Sequence, residues 1–342
     1  MLVETAALAP ASDAGTVPDA VVSDGGLLLA GDAERVGRYV EASTAAATRR
    51  AYEADWRAWT AWCSGRGEQP LPADPAVLAA YLTSLADEGL SVSTVTRRLS
   101  GIARGHRDAG LPSPSEHEGV RRVLRGIRRT AAADGIRPAK ARAVDTATVR
   151  ALVEELDAAT LAGLRDRALI LVGFALGLRA SDLVWLDAAD LTAAATGGGL
   201  DMRIRHSKTD QEGAGETLAL ALGVREATCP VRAADAWVAA AGLTGGPLLR
   251  AVSKGTQPTV GAGRMATSSV ARILTRAAVR AGVPTTALSS HSLRRGYATS
   301  AYAAGVSERE IARTGRWRSV TVMRGYDSSS RWADPASGRL GL

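Results

Sequence analysis

Residues 133–144, ADGIRPAKARAV, mix Gly, Pro and isolated basic side chains without any hydrophobic period, and this gap constrains the chain more than any other stretch. Helical periodicity runs up to it and resumes beyond it, so the spacing predicts two domains joined by a linker. Upstream, STAAATRRAYEADWRAWTAWC offers Ser43 or Thr44 as an N-cap. It sets Trp56, Trp59 and Trp62 three residues apart along one face, a stripe suited to a core. SVSTVTRRLSGIARGHRDAG starts another helix after Gly89 and ends at Gly110. With PADPAVLAAYLTSLADEG between them and SEHEGVRRVLRGIRRTAA after, residues 35–132 read as a bundle of four or five helices. Arg49 and Arg50 open the first of these helices and Arg97 and Arg98 lie on the second. Each pair either touches a binding partner or faces water.

The second domain, residues 145–342, opens with DTATVRALVEELD, capped by Asp145 or Thr146. LRDRALILVGFALG follows, with Leu169, Val172 and Phe174 expected in a core. LDMRIRHSK alternates Leu200, Met202 and Ile204 with polar residues, and ETLALAL does the same beyond a Gly-containing turn, which predicts a hairpin with Lys208 near its tip. Further helices are expected at 231–241, 266–281 and 292–304. The fold class is therefore mainly α, a helical bundle followed by a mostly helical domain with one small antiparallel sheet. Residues 1–34, rich in Ala, Gly, Asp and Pro, cannot bury enough surface to order themselves and read as a disordered tail.

Charge separates along the same lines. The tail holds six acids and no Lys or Arg, leaving 29 acids against 42 Lys and Arg in the rest, a net +13. A basic body of this kind binds polyanions by releasing their condensed counterions, so double-stranded nucleic acid is the expected partner, with an affinity that falls steeply as salt rises. All but Lys140, Lys208 and Lys254 of these cations are arginines, which suits phosphate gripping. No apolar run approaches the length of a membrane span, and the N-terminus lacks a basic segment followed by an apolar one, so a soluble, cytoplasmic protein with no membrane partner is expected. Cys63 and Cys229 lie far apart without a neighbouring cysteine or paired histidine, and read as packing residues.

The sequence has no Walker-type loop, no G-x-G-x-x-G and no histidine–carboxylate spacing suited to a metal, so no cofactor and no metal site is expected. Its C-terminal half instead carries GLRASDL with Arg179 and Asp182, HSKTD with Lys208, HSLRRG with His291 and Arg294, and GRWRSVTVMRGY with Trp317 and Tyr326. Guanidinium forks stay charged at any relevant pH and bind two phosphate oxygens at once, so they can offset charge on an attacked phosphodiester. An imidazole titrates near neutrality, and an ammonium on a hairpin can deliver a proton.

In order and spacing these fragments resemble the active-site pattern of the tyrosine recombinases, or phage integrase family. The likeness is strongest to the Cre-like branch, in which Trp stands near the end of the site and Tyr follows nine residues later, as Trp317 and Tyr326 do here. The N-terminal half, with WTAWC and GLPSPSE, resembles that branch's core-binding domain, so the resemblance spans the chain after the tail. It implies a two-domain DNA clamp in which Tyr326 is the nucleophile, Lys208 the general acid and His291 the residue that takes or positions the tyrosine proton. Arg179 and Arg294 would bind the phosphate, Trp317 would wall the site, and Asp182 would brace His291 or an arginine. It further implies a homo-tetramer that synapses inverted-repeat half-sites and exchanges strands through a Holliday junction. A monomeric type IB-like topoisomerase and a non-catalytic DNA-binding protein are the rival readings. Two departures stand out: Asp182 replaces the branch's usual glutamate, and the tail DSSSRWADPASGRLGL contains Pro335 and no long apolar face. Arg295, Arg316, Arg318 and Arg324 flank the proposed site and either grip neighbouring phosphates or are solvated.

Overall fold

In the computed structural model, which describes residues 31–136, 141–205 and 215–326, the chain separates into two units, Met1–Pro138 and Ala139–Leu342. The described part of the first unit is helical: α1 (Asp32–Ala42), α2 (Ala46–Ser64), α3 (Pro75–Asp87), α4 (Val92–Asp108) and α5 (Glu118–Ala133). Helix α1 starts inside the stretch read as tail, because Asp32 and Glu34 complement its N-terminal dipole and Asp32 pairs with Arg35 one turn on. Asp74 caps α3, whose first residue is Pro75, and Ser91 caps α4. The expected caps of α2 are not used. Ala45 occupies the N-cap without a side-chain bond, while Ser43 turns back to donate to the Val40 carbonyl at the end of α1. Thr44 accepts from Arg104 on α4 instead.

Three-residue spacing falls 60° short of a full helical turn, so the three tryptophans fan out instead of lining up. Only Trp59 is fully buried; Trp56 and Trp62 pack against the core from either side. Trp59 stacks on Trp62 at 5.8 Å and tilts against Tyr81 at 5.0 Å, and Leu78, Leu82, Val95, Ile102 and Val120 complete the core. Cys63 packs there too.

The second unit is built around α7 (Leu161–Ala175), buried on most sides along its length, which is why its apolar residues show no single stripe. Around it lie α6 (Thr146–Glu154), α8 (Ala180–Trp185), α9 (Pro230–Ala240), α10 (Ser268–Arg280) and α11 (Ser292–Ala303), followed by α12 (Glu308–Gly315) and α13 (Val320–Arg324). Strands β1 (Leu191–Ala193), β2 (Gly199–Ile204) and β3 (Glu216–Ala221) form an antiparallel sheet in that order. Met202 faces Leu218 and Leu200 faces Leu220. A second ribbon, β4 (Arg250–Val252) with β5 (Val260–Arg264), corrects the expectation of one sheet; strands this short carry no readable alternation.

The end of the expected linker belongs to this unit. Arg142 donates its N–H to Ala287 and its guanidinium to Pro284, the Val144 N–H donates to Ser292, and Val144 is fully buried. Helix α11 lies so close to this segment that a Cβ at Gly296 would come within 1.8 Å of the Val144 carbonyl oxygen. Gly296→Ala should therefore destabilise the unit by about 3 kcal/mol in a denaturant titration, although alanine favours a helix intrinsically. An unchanged midpoint would mean that the segment is not seated on α11.

Candidate active site

The site is assembled from three turns of the second unit. The first follows α7. Gly177 takes φ +53°, and the Leu178 N–H reaches back to Gly173, closing the helix so that Arg179 emerges as the N-cap of α8. Asp182, one turn along α8, is buried, accepts from Ser181 and lies 3.6 Å from an Arg179 Nη.

The second turn starts α11. His291 is its N-cap residue and is exposed. Arg294 follows in the first turn and is only 3% exposed. Its Nη1 donates to the carbonyls of Gly177 and Gly315, its guanidinium lies 3.8 Å from the Trp317 ring centroid, and its Nη2 is buried with no hydrogen-bond partner. Burial, followed by the positive charges of Arg179 and Arg316, pushes this guanidinium down to about 9, against a partial lift from Asp182.

The third turn ends α12. Arg316 occupies the C-cap at φ 55°, the left-handed region that costs a non-Gly residue on the order of 1 kcal/mol. The Trp317 N–H bonds back to Ala312. A Cβ at Gly315 would strike the Trp317 ring, so the indole is seated directly on the helix end. Arg316 turns inward and ion-pairs with Asp182. Helix α13, capped by Ser319, then presents Tyr326. The Tyr326 N–H donates to Met323, and its carbonyl accepts from Thr299 on α11. Met323 is fully buried against Ala298, Ala301 and Ile311, which fixes α13 under the tyrosine. The Tyr326 ring stands 5.9 Å from Trp317 and 5.8 Å from the Arg295 guanidinium carbon. It lines a cavity of about 760 Å³ together with His291, Ser289, Arg295 and Thr321.

The structure thus brings Arg179, Asp182, Arg294, Trp317 and Tyr326 to one place, with His291 on the cavity that Tyr326 lines. Lys208 and His206 lie outside the described residues, as does the C-terminal stretch 327–342. Where β2 ends, Arg205 bonds to buried Asp190 at 2.5 Å. Of the flanking arginines, exposed Arg324 pairs with half-buried Glu308 and Arg295 donates to Ala141. Arg318 is exposed. Arg316 is the residue that sequence reasoning placed at the periphery and the fold places inside; the one signal was a non-glycine just beyond a helix-ending Gly. In the first unit, Arg97 ion-pairs with buried Asp55 and Arg98 donates to the Tyr81 hydroxyl at 2.9 Å. Arg50 is exposed and Arg49 half-buried at the start of α2. Among the described residues no group of three or more His, Cys, Asp or Glu is placed to hold a metal, and no helix is long and apolar enough to cross a membrane.

Residues 142–331 match the phage integrase family, and residues 39–107 match the phage integrase N-terminal SAM-like domain. The chain is 33% identical over 307 residues to the integrase/recombinase XerD homolog of Selenomonas ruminantium, covering 89% of this chain and 88% of that protein. It is 28% identical over 284 residues to the recombinase Cre of Escherichia phage P1, covering 79% and 80%. In fold it is similar to lambda integrase (75–356), solved as a dimer bound to a COC′ core site, with a TM-score of 0.53, 17% identity, and 87% and 96% of the two chains covered. It is also similar to XerH bound to palindromic difH, with a TM-score of 0.51, 15% identity, and 74% and 68% covered.

Proposed function

Since the chain belongs to the phage integrase family and is a tyrosine site-specific recombinase, we propose that Tyr326 cleaves one strand of duplex DNA and holds its 3′ end. The phenol oxygen bonds to phosphorus as the P–O5′ bond breaks, which leaves a 3′-phosphotyrosine and a free 5′-hydroxyl; the bond energy is kept for rejoining. His291 takes or positions the phenol proton, and Lys208 gives a proton to the departing O5′. Arg179 and Arg294 grip the non-bridging oxygens, and Asp182 braces the arginines. Trp317 holds the Arg294 guanidinium flat and offers its indole N–H to the phosphate.

The single observation that carries this reading is the Arg294 guanidinium: pinned at Nη1, stacked on one face, and left with a buried unpaired Nη2 among other cations. Buried donors of this kind stay unpaired at a cost that an arriving anion removes. Both units, residues 35–132 and the catalytic unit, would contact the duplex. Arg49, Arg50, Arg97 and Arg98 would supply groove or phosphate contacts. Four protomers would join two sites made of inverted half-sites and exchange strands through a Holliday junction, in the cytoplasm where such DNA is found. The recombinase relatives favour this over a swivelling topoisomerase or an idle DNA-binding protein.

The test is covalent capture. Native protein is incubated in EDTA with a random-sequence duplex pool, and SDS-resistant adducts are sequenced; the expected product is one recovered site with protein on the 3′ end. Free strand ends, or scission only with added magnesium, would refute it. On that captured duplex, Lys208→Ala should cleave roughly 10²–10³-fold more slowly and recover when the 5′ leaving oxygen is sulfur, because a thiolate departs without a proton. Persistent slowness on sulfur would remove Lys208 from the general-acid role.

A further inference from the structure

Arg316 stands at a backbone position that glycine fills with least strain, φ 55° and ψ 52°. Gly315 comes one residue too early to fill it. The side chain is nevertheless only 7% exposed, is ion-paired with Asp182, and keeps its Nε buried without a hydrogen-bond partner. A non-glycine held in a strained conformation with its charge buried is an outlier whose cost points to function.

Counting the charges shows what that function is. Arg179, Arg294 and Arg316 carry three positive charges, and Asp182, 1% exposed, carries one negative charge shared between Arg179 and Arg316. Arg294 is subject to the charges of both other arginines. Leaving aside the Lys208 ammonium, which serves the departing O5′, the set without Arg316 would sum to +1, matching an intact phosphodiester. With it the set sums to +2, matching the two negative charges on a five-coordinate phosphorus under phenolate attack. Charge placed for the transition state accelerates the step, whereas charge matched to the ground state only tightens binding.

We propose that Arg316 is a third guanidinium of the phosphate pocket, offsetting the second negative charge that the transferring phosphoryl group gains when Tyr326 attacks. This rests on the reading of Tyr326 given above. Arg316 acts by its field and by holding Asp182, so it is a positioning residue.

The experiment uses Arg316→Gly in the full chain, a replacement that suits the left-handed backbone. The probe is the captured duplex, nicked beside the scissile bond, with either the natural phosphodiester or a methylphosphonate that lacks one negative charge. Adduct formation should fall about 10²-fold on the phosphodiester and stay within about threefold of the native rate on the methylphosphonate. Arg316→Lys, which keeps the charge, should recover part of the phosphodiester rate. A native-like rate on the phosphodiester, or an equal loss on both substrates, overturns the proposal. If thermal melting shows that Arg316→Gly is poorly folded, the ratio of the two rates is read on Arg316→Gln, and a native ratio overturns it equally. A native chain that forms no adduct at Tyr326 instead refutes the reading on which this one rests.

Discussion

Tyr326→Phe is expected to form no covalent adduct with the captured duplex, a loss of at least about 10⁴-fold, while binding it within about threefold of the native chain. The two outcomes separate because the residue's anchors are backbone groups. Its N–H donates to Met323 and its carbonyl accepts from Thr299 at 2.9 Å each, and its ring packs beside Trp317. Removing the hydroxyl leaves all three in place, so α13 should keep its seat on buried Met323. Gel electrophoresis under denaturing conditions reads the adduct, and a mobility shift at fixed salt reads binding. An adduct that survives the substitution would place the nucleophile elsewhere; binding lost in parallel would make Tyr326 a structural residue.

Arg294→Ala should be the most damaging change that leaves the nucleophile intact. Its Nη1 joins the Gly177 carbonyl to the Gly315 carbonyl, and these lie just ahead of the turns that deliver Arg179 and Arg316. Truncation leaves both carbonyls without that donor, removes the cation from the face of Trp317 and opens a gap beneath it. Losing buried hydrogen bonds of a charged group costs about 3–5 kcal/mol, and losing a preorganised donor costs cleavage on the order of 10³-fold. Denaturant unfolding and single-turnover adduct formation measure the two separately. Arg294→Lys keeps the charge but cannot both reach the two carbonyls and lie flat on the indole, so it should recover little.

Proton linkage gives the same residue a pH dependence. Its folded value, about 9, lies well below the ordinary arginine range, so as pH rises the folded chain releases this proton before the unfolded chain does. The linked contribution to stability therefore climbs as pH rises above about 9, and below about pH 9 the buried charge is a constant cost to the free protein. A phosphate in the pocket removes that cost at neutral pH. The native chain should accordingly gain more thermal stability from its captured duplex than Arg294→Ala does, beyond the difference in their affinities for nonspecific duplex.

Much of this molecule was legible in the order of its residues. The bundle of residues 35–132 follows from helix-period apolar positions punctuated by Asp74, Ser91, Gly89 and Gly110, all local signals that act through caps and backbone freedom. The linker was proposed at 133–144 because that stretch lacks a hydrophobic period, yet its end, from Arg142 to Val144, is held by the second unit. Of the proposed site, Arg179, Asp182, His291, Arg294, Trp317 and Tyr326 could be nominated from the sequence, because their order and spacing resemble the family's pattern. Ribbon β4–β5 did not, since three- and five-residue strands are defined by the partner they pair with. Nor did the cap of α2, where Ser43 was taken by the end of the preceding helix.

What tertiary structure alone decided is how charge is distributed in the pocket. Sequence places Arg316 beside Trp317 but cannot say that it turns inward, because burial of a cation depends on a carboxylate 134 positions earlier in the chain reaching the same point. Likewise, sequence names Arg294 without revealing that one of its amino groups is consumed by two distant carbonyls and the other left over. Local spacing fixes which groups a turn can present. Which of them are desolvated, and which are paired, is fixed only when segments remote in sequence are packed together, because Coulomb attraction and desolvation depend on distance in space.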